Sequence, residues 1–196
     1  MRQRDPFQFW SFQPDGQTAF LAYEHIVGYS DGAVMQYQRI YDLWLSSSKL
    51  GDDPGVFEAK RQNMRQVVRD IHFLLISLQV VWKSLKRMCD GQFFPSFSGA
   101  LAPLKVKWEP FFEQHREPRN TFEHYDDQIF GPDTRNNSPG YGVKLQSDGA
   151  FALGSHQSVL VNAQSRQQFI QFTLEFESAI ATVVGPVVVG RRAPLQ

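Results

Sequence analysis

The chain has one cysteine, Cys89, so an intrachain disulfide cannot form and a reducing compartment is the expected setting. It has no charge excess: Lys plus Arg and Asp plus Glu number 20 each. A global field that would steer it to duplex DNA is therefore absent. No run approaches the roughly 18–20 apolar residues that a membrane span requires. The opening MRQRDPFQFWSFQPDG puts charges and prolines where a signal peptide needs an apolar stretch. A cytoplasmic address without a membrane partner is the expectation. The patterns G-x-x-x-x-G-K-[ST], G-x-G-x-x-G, C-x-x-C and H-E-x-x-H are all missing. Their absence removes the usual phosphate loop, dinucleotide fold and zinc motifs from consideration. Glu-x-x-His, the di-iron signature of helical bundles, is missing too. His25, His72 and His124 fall on three different expected helices, but none has a second His at helical spacing, so no metal and no cofactor are expected.

What is present is apolar and aromatic. Hydrophobic residues make up 42% of the 196 and aromatics 14%, with 17 Phe, enough to build a sizeable core within one domain, 1–196. Charge is unevenly placed along the chain. Residues 60–107 hold nine Lys/Arg against two acids, whereas 108–150 hold four against eight. One basic and one acidic face would follow, unless these are merely solvated helix surfaces.

The pattern predicts a mainly α fold, a bundle of four to five helices with a small antiparallel β-hairpin before the last one. Residues 1–17, with Phe7, Phe9, Trp10 and Phe12, read as an aromatic arm ending in a Pro14-Asp15-Gly16 turn. A first helix is expected from Thr18 to Ser47, bent near Tyr29-Ser30-Asp31 because Gly28 and Gly32 each cost about 1 kcal/mol relative to Ala. The second is the clearest. Asp53 can cap it, Pro54 suits its first turn, and Val67, Ile71, Leu74, Leu78, Val81 and Leu85 keep a helical rhythm to Cys89. At 1.5 Å per residue it would be about 54 Å long, which calls for partner helices on both sides. Residues 92–99 read as a connection, followed by a third helix from Leu101 to Gln114. A fourth follows from Arg119 to Phe130, with Pro118 as its first residue. GPDTRNNSPGYG is a loop by composition. The hairpin region, 141–161, pairs Val143 and Leu145 with Phe151 and Leu153 around Asp148-Gly149, and Ser158–Val161 would add a third strand. Ser165 can cap a last helix carrying Phe169, Phe172, Phe176 and Ile180, and 185–196 reads as a flexible tail.

The segment HREPRNTFEHYDDQIF carries the unusual chemistry. If Pro118 opens a helix, Arg119 lies where unbonded backbone N–H groups favour an anion, and its guanidinium can grip a phosphate as a fork. Asn120 and His124, four apart, share a helix face. An imidazole near a phosphodiester is a suitable general acid or base, since its reference pKa is close to neutrality.

Arg119-Asn120-x-x-x-His124 resembles the R-x(4–6)-H motif of HEPN domains, in which a polar residue usually follows the arginine. The resemblance implies an all-α bundle, often a homodimer, acting on RNA and in many members as a metal-independent endoribonuclease. By that resemblance Arg119 binds the scissile phosphate, His124 assists attack by the ribose 2′-hydroxyl, and Asn120 supports the geometry. A second copy would complete the cleft. The rival reading is a non-catalytic dimerisation or protein-interaction module, in which Arg119 pairs with Glu123 at i,i+4.

Overall fold

The computed structural model describes residues 15–50, 54–123, 143–145, 150–153 and 157–184. The side chains of residues 54 and 121–123, and of all strand residues except Val159, are left out of the description. The arm up to residue 14, the Asp53 cap, residues 124–142 with His124, the Asp148-Gly149 turn and the tail lie outside the described residues.

Among the described residues the protein is mainly helical, with five α-helices. Helix α1 spans Gly16–Lys49. Its buried residues, Ala19, Tyr23, Ile26, Ser30, Ala33, Tyr37 and Ile40, recur every three or four positions and form one stripe. The helix runs unbroken through Tyr29-Ser30-Asp31. Ser30 sits on the stripe itself, 1% exposed, and a Cβ added at Gly28 or Gly32 would meet nothing within 4 Å. Both glycines weaken the helix only through propensity, which the packed stripe outweighs.

A short 3-10 turn, Pro54–Val56, leads into α2, Phe57–Met88. The two long helices run antiparallel, as their cross-contacts show. His25 meets Ser84 at 3.4 Å, Gln36 accepts from Ser77 at 3.4 Å, Arg39 pairs with Asp70 at 3.3 Å, and Asn63 donates to Ser47 at 3.1 Å. As one residue number rises, the other falls. Asp70 is buried, and burial raises its carboxyl pKa against the opposing pull of Arg39 and Arg69.

Helix α3 spans Pro95–Glu113, so it begins six residues before the expected start and absorbs most of the supposed connection. Pro95 occupies the first turn, where no backbone N–H is needed, and Phe97, two residues on, is fully buried. That burial holds the early turn helical. Pro103 and Pro110 both lie inside the helix without dividing it.

Helix α4 is Arg116–Glu123, again earlier than the expected Arg119. Pro118 is its third residue rather than its first, and the Arg119 backbone N–H donates to the His115 carbonyl at 3.2 Å. Arg119 is therefore not at an open helix start, and the expected anion site made of terminal N–H groups is corrected accordingly.

Three short strands, β1 (Val143–Leu145), β2 (Ala150–Leu153) and β3 (Gln157–Leu160), pair antiparallel in that order, with Leu145 opposite Phe151 and Phe151 opposite Val159. Apart from Val159, 1% exposed, no strand side chain is described, so the expected hairpin draws no support from side-chain packing.

Helix α5, Ala163–Val184, closes the bundle. Its cap is Asn162 rather than Ser165. The Asn162 Oδ1 accepts from the Ser165 N–H at 2.8 Å, and the Ser165 Oγ accepts from the Asn162 N–H at 3.0 Å. This is a reciprocal capping box, with Ser165 at the third helical position. Phe169, Phe172, Phe176 and Ile180 lie on one face and are at most 2% exposed. They fill the space between α1 and α3: Phe169 lies 6.4 Å from Tyr37, Phe176 lies 5.9 Å from Tyr23, and Phe172 lies 5.0 Å from Phe112. Glu175 fastens the rim, accepting from Lys107 Nζ at 2.6 Å and Trp108 Nε1 at 2.9 Å.

Candidate functional site

One face of α2 changes character along its length. Leu75, Leu78 and Trp82 are buried against the core, and the same side of the helix continues through Gln79, Lys83 and Lys86. Helix α3 ends against this face: the Phe112 ring stacks on Trp82 at 4.9 Å and 8°. The chain then turns at His115 into α4, which lies across α2 at this level. Between them is a cleft of about 510 Å³, lined by the polar ends of α2 and by Glu113, His115, Arg116, Arg119 and Asn120. That size suits a small organic ligand or a segment of polymer.

Among the described residues four cations, Lys83, Lys86, Arg116 and Arg119, line the cleft against a single carboxylate, Glu113. Glu113 is already engaged, accepting from Trp82 Nε1 at 3.2 Å and pairing with Arg116 at 3.6 Å. Lys86 Nζ stands 5.3 Å from the Trp82 ring centre, held in part by cation–π attraction. Arg119 Nη2 donates to Asn120 Oδ1 at 2.6 Å, so the amide orients the guanidinium. A cleft with this charge balance and an oriented planar fork is chemically suited to a phosphate or carboxylate ligand.

His115 is the most buried polar group of the cleft, 5% exposed. Its Nδ1 lies 2.7 Å from the Phe111 carbonyl oxygen. A carbonyl can only accept, so the proton sits on Nδ1, and Nε2 of the neutral ring presents a lone pair. Nε2 is buried and has no hydrogen-bond partner among the described residues. Burial lowers the ring's pKa to about 4, despite the opposing effect of the Phe111 hydrogen bond. At neutral pH His115 is an uncharged acceptor, in contrast to the cations around it.

Of the three residues singled out by the sequence, the structure brings Arg119 and Asn120 together in this cleft. His124 lies outside the described residues, as does the side chain of Glu123, the alternative partner of Arg119. Sequence reasoning missed His115, Arg116, Lys83 and Lys86 as parts of one site. The available signals were the four-residue step from His115 to Arg119, one helical turn, and the basic excess of residues 60–107. His25 is engaged with Ser84 and Tyr29, and His72 lies against Phe73. Among the described residues no three His, Cys, Asp or Glu side chains come together, and no helix is long and apolar enough to cross a membrane. The Cys89 thiol is half-buried and pushed up to about 11 by that burial, which leaves little thiolate at neutral pH. Comparison with protein-family models, with curated proteins and with solved structures gives no match.

Proposed function

We propose that this protein binds RNA through the cleft between α2, α3 and α4, and that it is a HEPN-like, metal-independent endoribonuclease. The observation that carries the reading is the convergence of Arg119 and its orienting Asn120 with Arg116, Lys83 and Lys86 in one cleft. The resemblance singled out the first two residues for phosphate contact, and the other three supply the positive surroundings such a contact needs. Arg119 holds the phosphate with its fork, and Asn120 fixes the fork's plane. His124, four positions after Asn120 in the sequence, serves as acid or base toward the 2′-hydroxyl. A second copy of the chain completes the active cleft, as the resemblance implies.

The test is cleavage of a labelled single-stranded RNA in EDTA. The wild type is expected to cleave, Arg119→Ala to bind and cleave poorly, and His124→Ala to bind normally with cleavage reduced by about 10²–10⁴-fold, the usual worth of a positioned acid or base. Sedimentation should give a dimer. RNA binding without any cleavage would limit the protein to a binding role. Undiminished cleavage by His124→Ala would remove that residue from the mechanism.

A further inference from the structure

The polar lining of the cleft is dominated by groups that donate. Lys83, Lys86, Arg116 and Arg119 can only donate, and the oxygens of Glu113 and Asn120 each already face a donor, from Trp82, Arg116 and Arg119. Gln79 and His115 bring the other acceptors, and of the two His115 is the buried one. Its Nδ1 proton is committed to the Phe111 carbonyl, which fixes the tautomer and leaves Nε2 as a buried acceptor with no partner among the described residues. A buried polar atom of this kind costs free energy until it is met, so its presence beside an anion-binding cleft is informative. The ligand that completes the site must bring an anion for the cations and a hydroxyl or N–H donor close to that anion. A deoxyribose phosphate has no hydroxyl beside its phosphate, whereas a ribose 3′-phosphate carries the 2′-hydroxyl on the neighbouring carbon.

We propose that His115 is the residue by which this cleft distinguishes RNA from DNA, its Nε2 accepting a hydrogen bond from the ribose 2′-hydroxyl next to the phosphate held by Arg119. This role rests on the reading of the cleft as an RNA-phosphate site. The neutral form of the ring is the one required, and burial at 5% exposure maintains it. Nε2 lies beneath the cleft surface, so binding includes rotamer shifts in the long side chains around it. Changes on that scale are common on complex formation. His115 is thus a specificity residue, separate from the acid–base role given to His124.

The experiment titrates the full chain with hexauridylate and with its 2′-deoxy counterpart, which differ only in the hydroxyl. Wild type is expected to bind the ribo-oligomer about tenfold more tightly, the worth of one good hydrogen bond. His115→Asn keeps a side-chain donor for the Phe111 carbonyl and leaves no acceptor at the position of Nε2, its own Oδ1 lying nearer the backbone. It is expected to bind the ribo-oligomer as weakly as the deoxy one, with deoxy affinity unchanged. Should this variant fail to fold, wild-type protein carrying ¹⁵N-labelled histidine gives an independent readout. The Nε2 resonance should shift with hexauridylate and stay in place with the deoxy oligomer. Equal binding of the two oligomers without an Nε2 shift, or an RNA preference that survives in His115→Asn, overturns the role of His115 and leaves RNA binding standing. Failure to bind either oligomer overturns the RNA reading and this role with it.

Discussion

His115 combines two observations that bear on stability as well as on recognition. Its folded-state pKa is lowered from the ordinary 6.5 to about 4 by burial. A lowered histidine pKa means the fold favours the neutral ring. The resulting stability is present above the unfolded value and is lost as pH falls from about 6.5 to about 4. A shift of this size corresponds to about 3 kcal/mol over that window. Urea unfolding across the window should show this loss in the wild type and a flatter profile in His115→Asn. Among the described residues the charged groups facing the ring are Lys83 and Lys86 from α2, Glu113 from α3, and Arg116 and Arg119 from α4, and His115→Asn keeps them all, so the difference between the two profiles reports the ring. An equal pH slope in both proteins would mean that the ring is protonated or solvated in the fold.

At the level of elements, α5 holds the molecule together through one aromatic stripe. Phe172 contacts Trp108, Phe112, Phe169 and Phe176 with ring separations of 5.0–6.3 Å. Phe172→Ala should destabilise the fold by about 3–5 kcal/mol, measured by chemical unfolding, because little else can fill the space. Its rim contact, Glu175, behaves oppositely to His115. Hydrogen bonds from Lys107 first, then from Gln171 and Trp108, hold its carboxyl down to about 2 from an ordinary 4.5. That stability is present above pH 4.5 and lost as pH falls toward 2. Glu175→Gln should therefore be less stable than wild type at neutral pH, with the two thermal midpoints converging toward pH 2. Much of this layer was legible in the sequence. The three-and-four spacing of α1, α2 and α5 is written in Tyr23, Leu74 and Phe172 and their neighbours, because local period and burial agree there. The starts of α3 and α4 were not. Residues 92–99 read as a connection and Pro118 as a helix start, yet both helices begin earlier, because their anchors, Phe97 and His115, are set by tertiary burial.

For the whole molecule, zero net charge concealed the feature that matters. Lys83 and Lys86 on α2 and Arg116 and Arg119 on α4 are separated by up to 36 positions in sequence, and only the docking of α4 on α2 gathers them. Arg119 and Asn120 could be singled out because they are adjacent and carry a motif. His115 could not, because its significance lies in an unmet Nε2 that only the folded cleft creates. A neutral protein with a local cationic cleft should bind RNA with a modest salt dependence. For single strands, log K is expected to fall by about 0.7 per phosphate contact for each unit of log salt.

The most direct measurement of the central claim is the affinity for a short single-stranded RNA over a salt series, wild type against the Lys83→Ala, Lys86→Ala double variant. The account predicts weaker binding in the variant, with a slope shallower by about 1.4 for two lost phosphate contacts. Superimposable lines for the two proteins would show that RNA, if bound at all, binds elsewhere.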